Sequence, residues 1–255
     1  MKLVLTSVLF LLAGLRASAQ QTLTVAAAAD LQPVMTEIVA RFEKEADATV
    51  KLSFGSSGNF FAQIQNGAPY DLFFSADLEY PSRLQAAGLS KPGSLYVYAT
   101  GKIVLWTRAN SDIDAAQGLK ALADPHLQKI AIANPAHAPY GRAAEAALKN
   151  SGFWDRVSSK LVLGENIAQT AQFVESGNAD VGIVALSFVL APALKDRGRY
   201  FIIPQSLYPP LQQGAVILKS TQHPDLARRF LAFMRSGEIS SLLHEYGFST
   251  SEARQ

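Results

Sequence analysis

The 255-residue chain contains no cysteine, which excludes disulfides, thiolate metal sites and a lipid anchor on an N-terminal cysteine. Charge is scarce too, at 17% of residues, and no cluster of lysine or arginine marks a surface for nucleic acid or anionic lipid. The four histidines, His126, His137, His223 and His244, are scattered without the H-x-x-x-H spacing of a metal site. They are expected in solvated or core roles. After the first residues no apolar run is long enough to span a bilayer. No internal repeat and no low-complexity tract interrupts the chain.

What is present begins with a short positive start at Met1-Lys2, an apolar run from Leu3 to Leu15 and the small-residue pattern Ala17-Ser18-Ala19. That order predicts a cleavable signal peptide over 1–19 and an exported, soluble mature protein. Loss of Lys2 and Arg16 leaves the mature chain formally neutral, so the precursor's basicity overstates its charge. With 49% hydrophobic residues, the remainder is large enough for two modest domains with cores of their own.

Strand and helix signals alternate along the chain. Thr22 to Ala28 reads as a buried strand, and Val34, Ile38 and Phe42 then recur at helical spacing, with Asp30 placed to cap that helix. Thr49 to Phe54 and Asp71 to Ser75 are further strands, the latter followed by a helix over 78–87. Strands at 96–99 and 102–106 flank Thr100-Gly101 and lead into a second series. It has a helix over 114–122, a strand over 130–133, a helix over 142–149, a strand over 161–163, a helix over 167–175 and a strand over 181–184. Late strands at 201–203 and 215–218 and two helices, 225–235 and 238–246, close the chain. Such alternation with short junctions predicts an α/β fold built on parallel sheets.

The most telling junction is Leu52 to Ile64, where an apolar strand breaks into Gly55-Ser56-Ser57-Gly58 and restarts as a helix. Free N–H groups and the positive end of the helix dipole make such a junction an anion site, and the glycines admit close approach of a ligand. An ordinary serine cap would use the same residues. Similar junctions recur at Ala29-Asp30, Ser75-Asp77, Pro139-Tyr140-Gly141 and Glu165-Asn166-Ile167, each at the carboxyl end of a strand. In open α/β sheets that is where ligands bind. Two lobes facing one another would gather many N–H donors around a small anion.

Three segments carry a resemblance: Val25 to Leu31, Phe54 to Gly58, and above all Asn66-Gly67-Ala68-Pro69-Tyr70-Asp71-Leu72-Phe73-Phe74-Ser75-Ala76-Asp77. With Asn134-Pro135 through Tyr140-Gly141, Gly182 to Ala185 and Tyr246 to Phe248, the chain resembles the periplasmic molybdate-binding proteins of ABC importers along nearly its whole mature length. The resemblance implies a two-lobed periplasmic binding protein, each lobe a mostly parallel sheet flanked by helices, with two interlobe crossings. Lobe I would comprise 20–101 plus 214–255, and lobe II 102–213. It further implies a monomeric, non-catalytic periplasmic receptor that binds molybdate or tungstate, needs no cofactor and no protein–metal ligand, and delivers the ion to a membrane permease. Carried over by position, the oxyanion would meet Ala29, Asp30 and Ser57 from lobe I and the main-chain N–H groups of Tyr140 and Ile167 from lobe II. The chain departs from many relatives in having Ala29-Asp30 at the first junction, and it has Ala185 where some present a tyrosine hydroxyl.

Asp30 leaves two readings open. Its carboxylate caps the helix and turns away from the ligand, or it faces the cleft and accepts a proton from an anion such as hydrogen phosphate. Arg142 is a solvated residue, a cation reaching into the cleft, or the partner of Asp30 across the lobes. Phosphate and sulfate therefore stand as alternative ligands. A secreted serine hydrolase is the remaining alternative, but G-x-S-x-G is not satisfied, because Asn59 stands where the last glycine belongs.

Overall fold

The computed structural model describes residues 21–250, so the expected export segment lies outside the described residues. The first lobe opens with β1 (Gln21–Ala28), α1 (Gln32–Ala46), β2 (Ala48–Gly55), α2 (Ser57–Gln65), β3 (Leu72–Ser75), α3 (Glu79–Ala86) and β4 (Tyr96–Gly101). The chain then crosses into β5 (Ile103–Arg108), β6 (Ile130–Ala133), α4 (Pro139–Asn150), α5 (Trp154–Val157), β7 (Leu161–Gly164) and α6 (Ile167–Glu175). The second lobe ends with β8 (Val181–Ala185), α7 (Leu186–Leu190) and β9 (Gly198–Ile202), and the chain returns through β10 (Leu211–Ile217), α8 (Pro224–Met234) and α9 (Gly237–Glu245).

The two sheets run β2-β1-β3-β10-β4 and β7-β6-β8-β5-β9. They share one plan without sharing a sequence repeat. In each, four strands point the same way, three of them linked through helices, and one crossing strand (β10 in the first sheet, β5 in the second) runs antiparallel between its two neighbours. The sheets are therefore mixed, and the expected mostly parallel character holds with one reversed strand in each. Helical crossovers force the three linked strands parallel, whereas the crossing strands are free of that constraint. Leu211 to Gln213 already pair with Gly101 to Ala99, so the return into the first sheet begins ahead of the boundary expected at 213/214.

Packing explains the firmness of each half. In lobe I, Phe230 of α8 meets Phe42 of α1 edge-on at 4.9 Å and Phe74 of β3 at 5.9 Å. Phe230 is fully buried, a position where truncation to alanine costs about 3–5 kcal/mol. Lobe II buries Ile103, Leu105, Ile130, Ile132 and Ile183 against α4, and Ala28, Ala29 and Ala76 of lobe I join that core. Small side chains at the ends of β1 and β3 thus let the lobes touch.

Local differences from the sequence reading have plain causes. α4 starts at Pro139, ahead of the expected 142, because proline suits the first helical turn, whose N–H has no partner. The segment expected as a helix over 114–122 is a 3-10 stretch, Ala115–Ala123, broken where Gly118 takes φ +64. Asp30 is not a helix cap: it lies inside a 3-10 turn, Ala29–Leu31, that precedes α1 and has no side-chain cap.

Candidate functional site

Ala29, Asp30, Ser57, Tyr140 and Ile167 all line one small, tightly closed cleft between the lobes, with a cavity volume of about 10 Å³. The site is built mainly from the first turns of helices. Ser56 caps α2 by accepting from the Asn59 N–H at 3.4 Å, and Asn166 caps α6 by accepting from Ala168 and Gln169. Gly58 donates to the His137 carbonyl across the lobes at 2.9 Å, and Gly141 and Arg142 donate to the Ala138 carbonyl. Those bonds satisfy the later N–H groups of each turn. The N–H groups of Ser57, Tyr140 and Ile167 precede them, where no intrahelical carbonyl is available, and no acceptor meets them among the described residues. The Ser57 hydroxyl accepts from the Ala76 N–H at 2.9 Å, which leaves its own proton for the cleft.

Asp30 sits at the floor of this cleft with no exposed surface. Its Oδ2 accepts from Gln213 Nε2 at 2.6 Å and from the Tyr140 hydroxyl at 3.1 Å. Gln213 in turn accepts from the Tyr98 hydroxyl at 2.7 Å, and the Asp30 carbonyl accepts from Ser187 of α7 at 2.7 Å. Burial pushes the Asp30 carboxyl up to about 6, with the hydrogen bonds from Gln213 and Tyr140 and the pull of the Asp30 and Leu31 N–H groups only partly opposing it. Burial, reinforced by the Asp30 charge, pushes the Tyr140 and Tyr98 phenols well above their ordinary value. A Cβ on Gly101 would stand 2.1 Å from the Tyr140 hydroxyl and 2.6 Å from Gln213 Nε2. Only glycine leaves room for this network beside the crossing strand.

Arg142 does not reach Asp30. Its guanidinium pairs with Asp77 of the facing lobe at 2.6 Å and lies within 3.3 Å of the Tyr80 hydroxyl, so the expected alternative of an Arg142–Asp30 pair is corrected. Burial still raises the Asp77 carboxyl, outweighing the Arg142 attraction. His137, expected to be solvated or in a core, lies on the lobe seam with Nδ1 2.9 Å from Ser56 Oγ. Glu165 stands 3.8 Å from its Nε2, and it accepts from the Asn59 amide at 2.5 Å.

This seam has the residue order of a Ser-His-acid triad but not its geometry. Ser56 has ordinary extended torsions, φ −76 and ψ 143, rather than a strained elbow, and its hydroxyl is a helix cap. Gln213, Tyr98, Ser187 and His137 were not picked out from the sequence as site residues. Ala185 is fully buried and offers nothing to the cleft.

The family model for bacterial extracellular solute-binding proteins matches residues 23–249. The chain is 37% identical to the molybdate-binding protein ModA of Rhodobacter capsulatus, across 93% of this chain and 91% of that protein. It is 40% identical to the molybdate-binding protein ModA of Azotobacter vinelandii, across 92% and 94%. The solved Azotobacter vinelandii periplasmic molybdate-binding protein superposes with a TM-score of 0.85 at 36% identity, covering 90% of this chain and all of that one. Matched over residues 23–249 in sequence and over 90% of its length in architecture, the chain belongs to the bacterial extracellular solute-binding proteins, a family of receptors rather than enzymes.

Proposed function

We propose that this protein is a periplasmic receptor that captures a tetrahedral oxyanion, molybdate first and tungstate next, and delivers it as a monomer to the membrane permease of an ABC importer. The observation that carries the reading is the convergence of free helix-terminal N–H groups from both lobes, with the Ser57 hydroxyl, on one small cleft without a lysine or arginine in its lining. Ala29 and Asp30 contribute the main chain of the first junction, and Ser57, Tyr140 and Ile167 contribute theirs. Fixed neutral dipoles suit a dianion, since each charge-assisted hydrogen bond stabilises by about 1.5–3 kcal/mol and needs no counter-ion to move in. The molybdate-binding relatives from Rhodobacter and Azotobacter support the choice of ion. Selection against sulfate then follows from cage width, because molybdate has the longer metal–oxygen bonds.

A second reading, hydrogen phosphate, has one observation in its favour. One oxygen of Asp30 has no hydrogen-bond donor among the described residues and would accept a hydrogen bond from the O–H that phosphate carries. Calorimetric titration of the mature protein with molybdate, tungstate, sulfate and phosphate separates these readings. Saturable one-to-one heat is expected with molybdate and tungstate and none with sulfate. Heat with phosphate alone would overturn the assignment in favour of the second reading. Light scattering during the same titration is expected to give a monomer throughout.

A further inference from the structure

Asp30 has a feature that a cage of neutral donors does not explain. Its Oδ2 is held by Gln213 and Tyr140, yet Oδ1, equally shielded from water, meets no donor among the described residues. The residue lines the same cleft as Ser57 and Ile167. The elements around it supply no cation. Tyr140 faces it from α4, Tyr98 stands behind Gln213 from β4, and α7 presents Ser187. Ser57 of α2 and Ile167 of α6 bring no ionisable side chain. Asp77 carries a carboxylate on the same seam, and Arg142 is paired with it.

A carboxylate and a fully ionised dianion in one desolvated cleft repel strongly enough to remove several decades of affinity. Protonating a carboxyl held near pH 6 costs only about two decades at pH 8. The cheaper state is the neutral acid. We propose that Asp30 enters the liganded cleft as the carboxylic acid, taking one proton from solvent per oxyanion bound, and that Oδ1–H donates to an oxygen of the ligand. The proposal rests on the oxyanion reading of this cleft. It makes Asp30 both a ligand-binding residue and the source of pH dependence in capture. An anion that brings its own proton, such as hydrogen phosphate, would meet the ionised form instead and need no proton from solvent.

The test is calorimetric titration of the mature protein with molybdate at pH 8 and pH 6, in buffers that differ in ionisation enthalpy. Expected is an uptake close to one proton per molybdate at pH 8, falling only where the Asp30 of the empty protein is itself already protonated. Between pH 7 and 9 the Kd should rise about tenfold per pH unit, the slope of a single linked proton. Asp30→Asn supplies an N–H donor without an ionisable group, so its uptake and its pH slope should both vanish. His137→Gln, which removes the histidine on the lobe seam, should retain both, and that pair of measurements with the wild type stands even where Asp30→Asn does not fold. Molybdate binding without proton uptake at pH 8 would overturn this proposal and leave the receptor assignment intact. So would an uptake that disappears in His137→Gln or persists in Asp30→Asn. No molybdate binding at any pH would overturn both.

Discussion

Ser57 illustrates how a single side chain is oriented by what it accepts. Because its Oγ takes the Ala76 N–H, the hydroxyl proton is left to point into the cleft. Ser57→Ala removes that donor and also strands the Ala76 N–H, so molybdate affinity should fall roughly 10- to 100-fold, equivalent to about 1.5–3 kcal/mol. Calorimetry measures this directly, and an affinity within about threefold of wild type would mean the hydroxyl does not serve the ligand. Gln213 is the matching case for stability. It bridges Tyr98, Tyr140 and Asp30 with no exposure, so Gln213→Leu should lower stability by about 1–3 kcal/mol, or a few degrees in Tm, by leaving buried polar groups unpaired. A melting temperature equal to wild type would show the network to be slack. The sequence made Ser57 legible, since it opens a helix between two glycines. Gln213 was not legible, because the polar pair Gln212-Gln213 interrupts the apolar run and makes the late strand look as though it starts at Ala215. What holds these glutamine contacts together is a tertiary meeting of three segments far apart in the chain, which leaves no local pattern.

At the scale of elements, local chemistry predicted helix starts better than sheet topology. α6 runs over the expected Ile167–Glu175, because Asn166 is a strong cap and the apolar spacing after it is regular. The direction of β5 and β10 could not be read, since an apolar strand has the same pattern whichever way it runs. The same scale exposes how closely α2 approaches the opposite lobe. A Cβ on Gly58 would lie 2.6 Å from the His137 carbonyl oxygen and 2.7 Å from the Tyr80 hydroxyl. Tyr80 belongs to α3 of the same lobe, and its hydroxyl is the far end of a side chain that can swing aside, whereas the backbone carbonyl of His137 cannot yield and stands there only when the lobes meet. Gly58→Ala should therefore spare the folded lobes yet weaken molybdate binding by roughly 5- to 100-fold, the equivalent of about 1–3 kcal/mol of overpacking. Circular dichroism melts of the empty protein, set beside calorimetry, separate the two effects. Loss of melting temperature with unchanged affinity would place the steric conflict inside lobe I instead.

For the whole molecule, the bonds across the seam define a closed form: Gly58 to His137, Asn59 to Glu165, Arg142 to Asp77, and Asp30 to both Tyr140 and Ser187. Asp30 is the one that opposes closure at neutral pH. Its carboxyl is raised from 3.8 to about 6 by burial in this form, so the closed form holds the proton more tightly than a hydrated, open cleft would. The sign follows from linkage. Closure is unhindered by Asp30 below about pH 4, is increasingly penalised as pH rises towards 6, and bears the full penalty above that. A rise of that size corresponds to about 3 kcal/mol, and at pH 5 roughly half of that penalty is gone. The ratio of closed to open empty protein should accordingly be about tenfold higher at pH 5 than at pH 8. Small-angle scattering of the empty protein should then give a smaller radius of gyration at pH 5 than at pH 8 wherever the open form is substantially populated at pH 8. Saturating molybdate should give the compact value at both. Asp30→Asn should be equally compact at the two pH values, which assigns the change to this residue rather than to His137 on the same seam. If the empty wild type scatters identically at both pH values while molybdate still compacts it, Asp30 does not set the balance between the forms, and the hinge must be governed by the outer contacts alone.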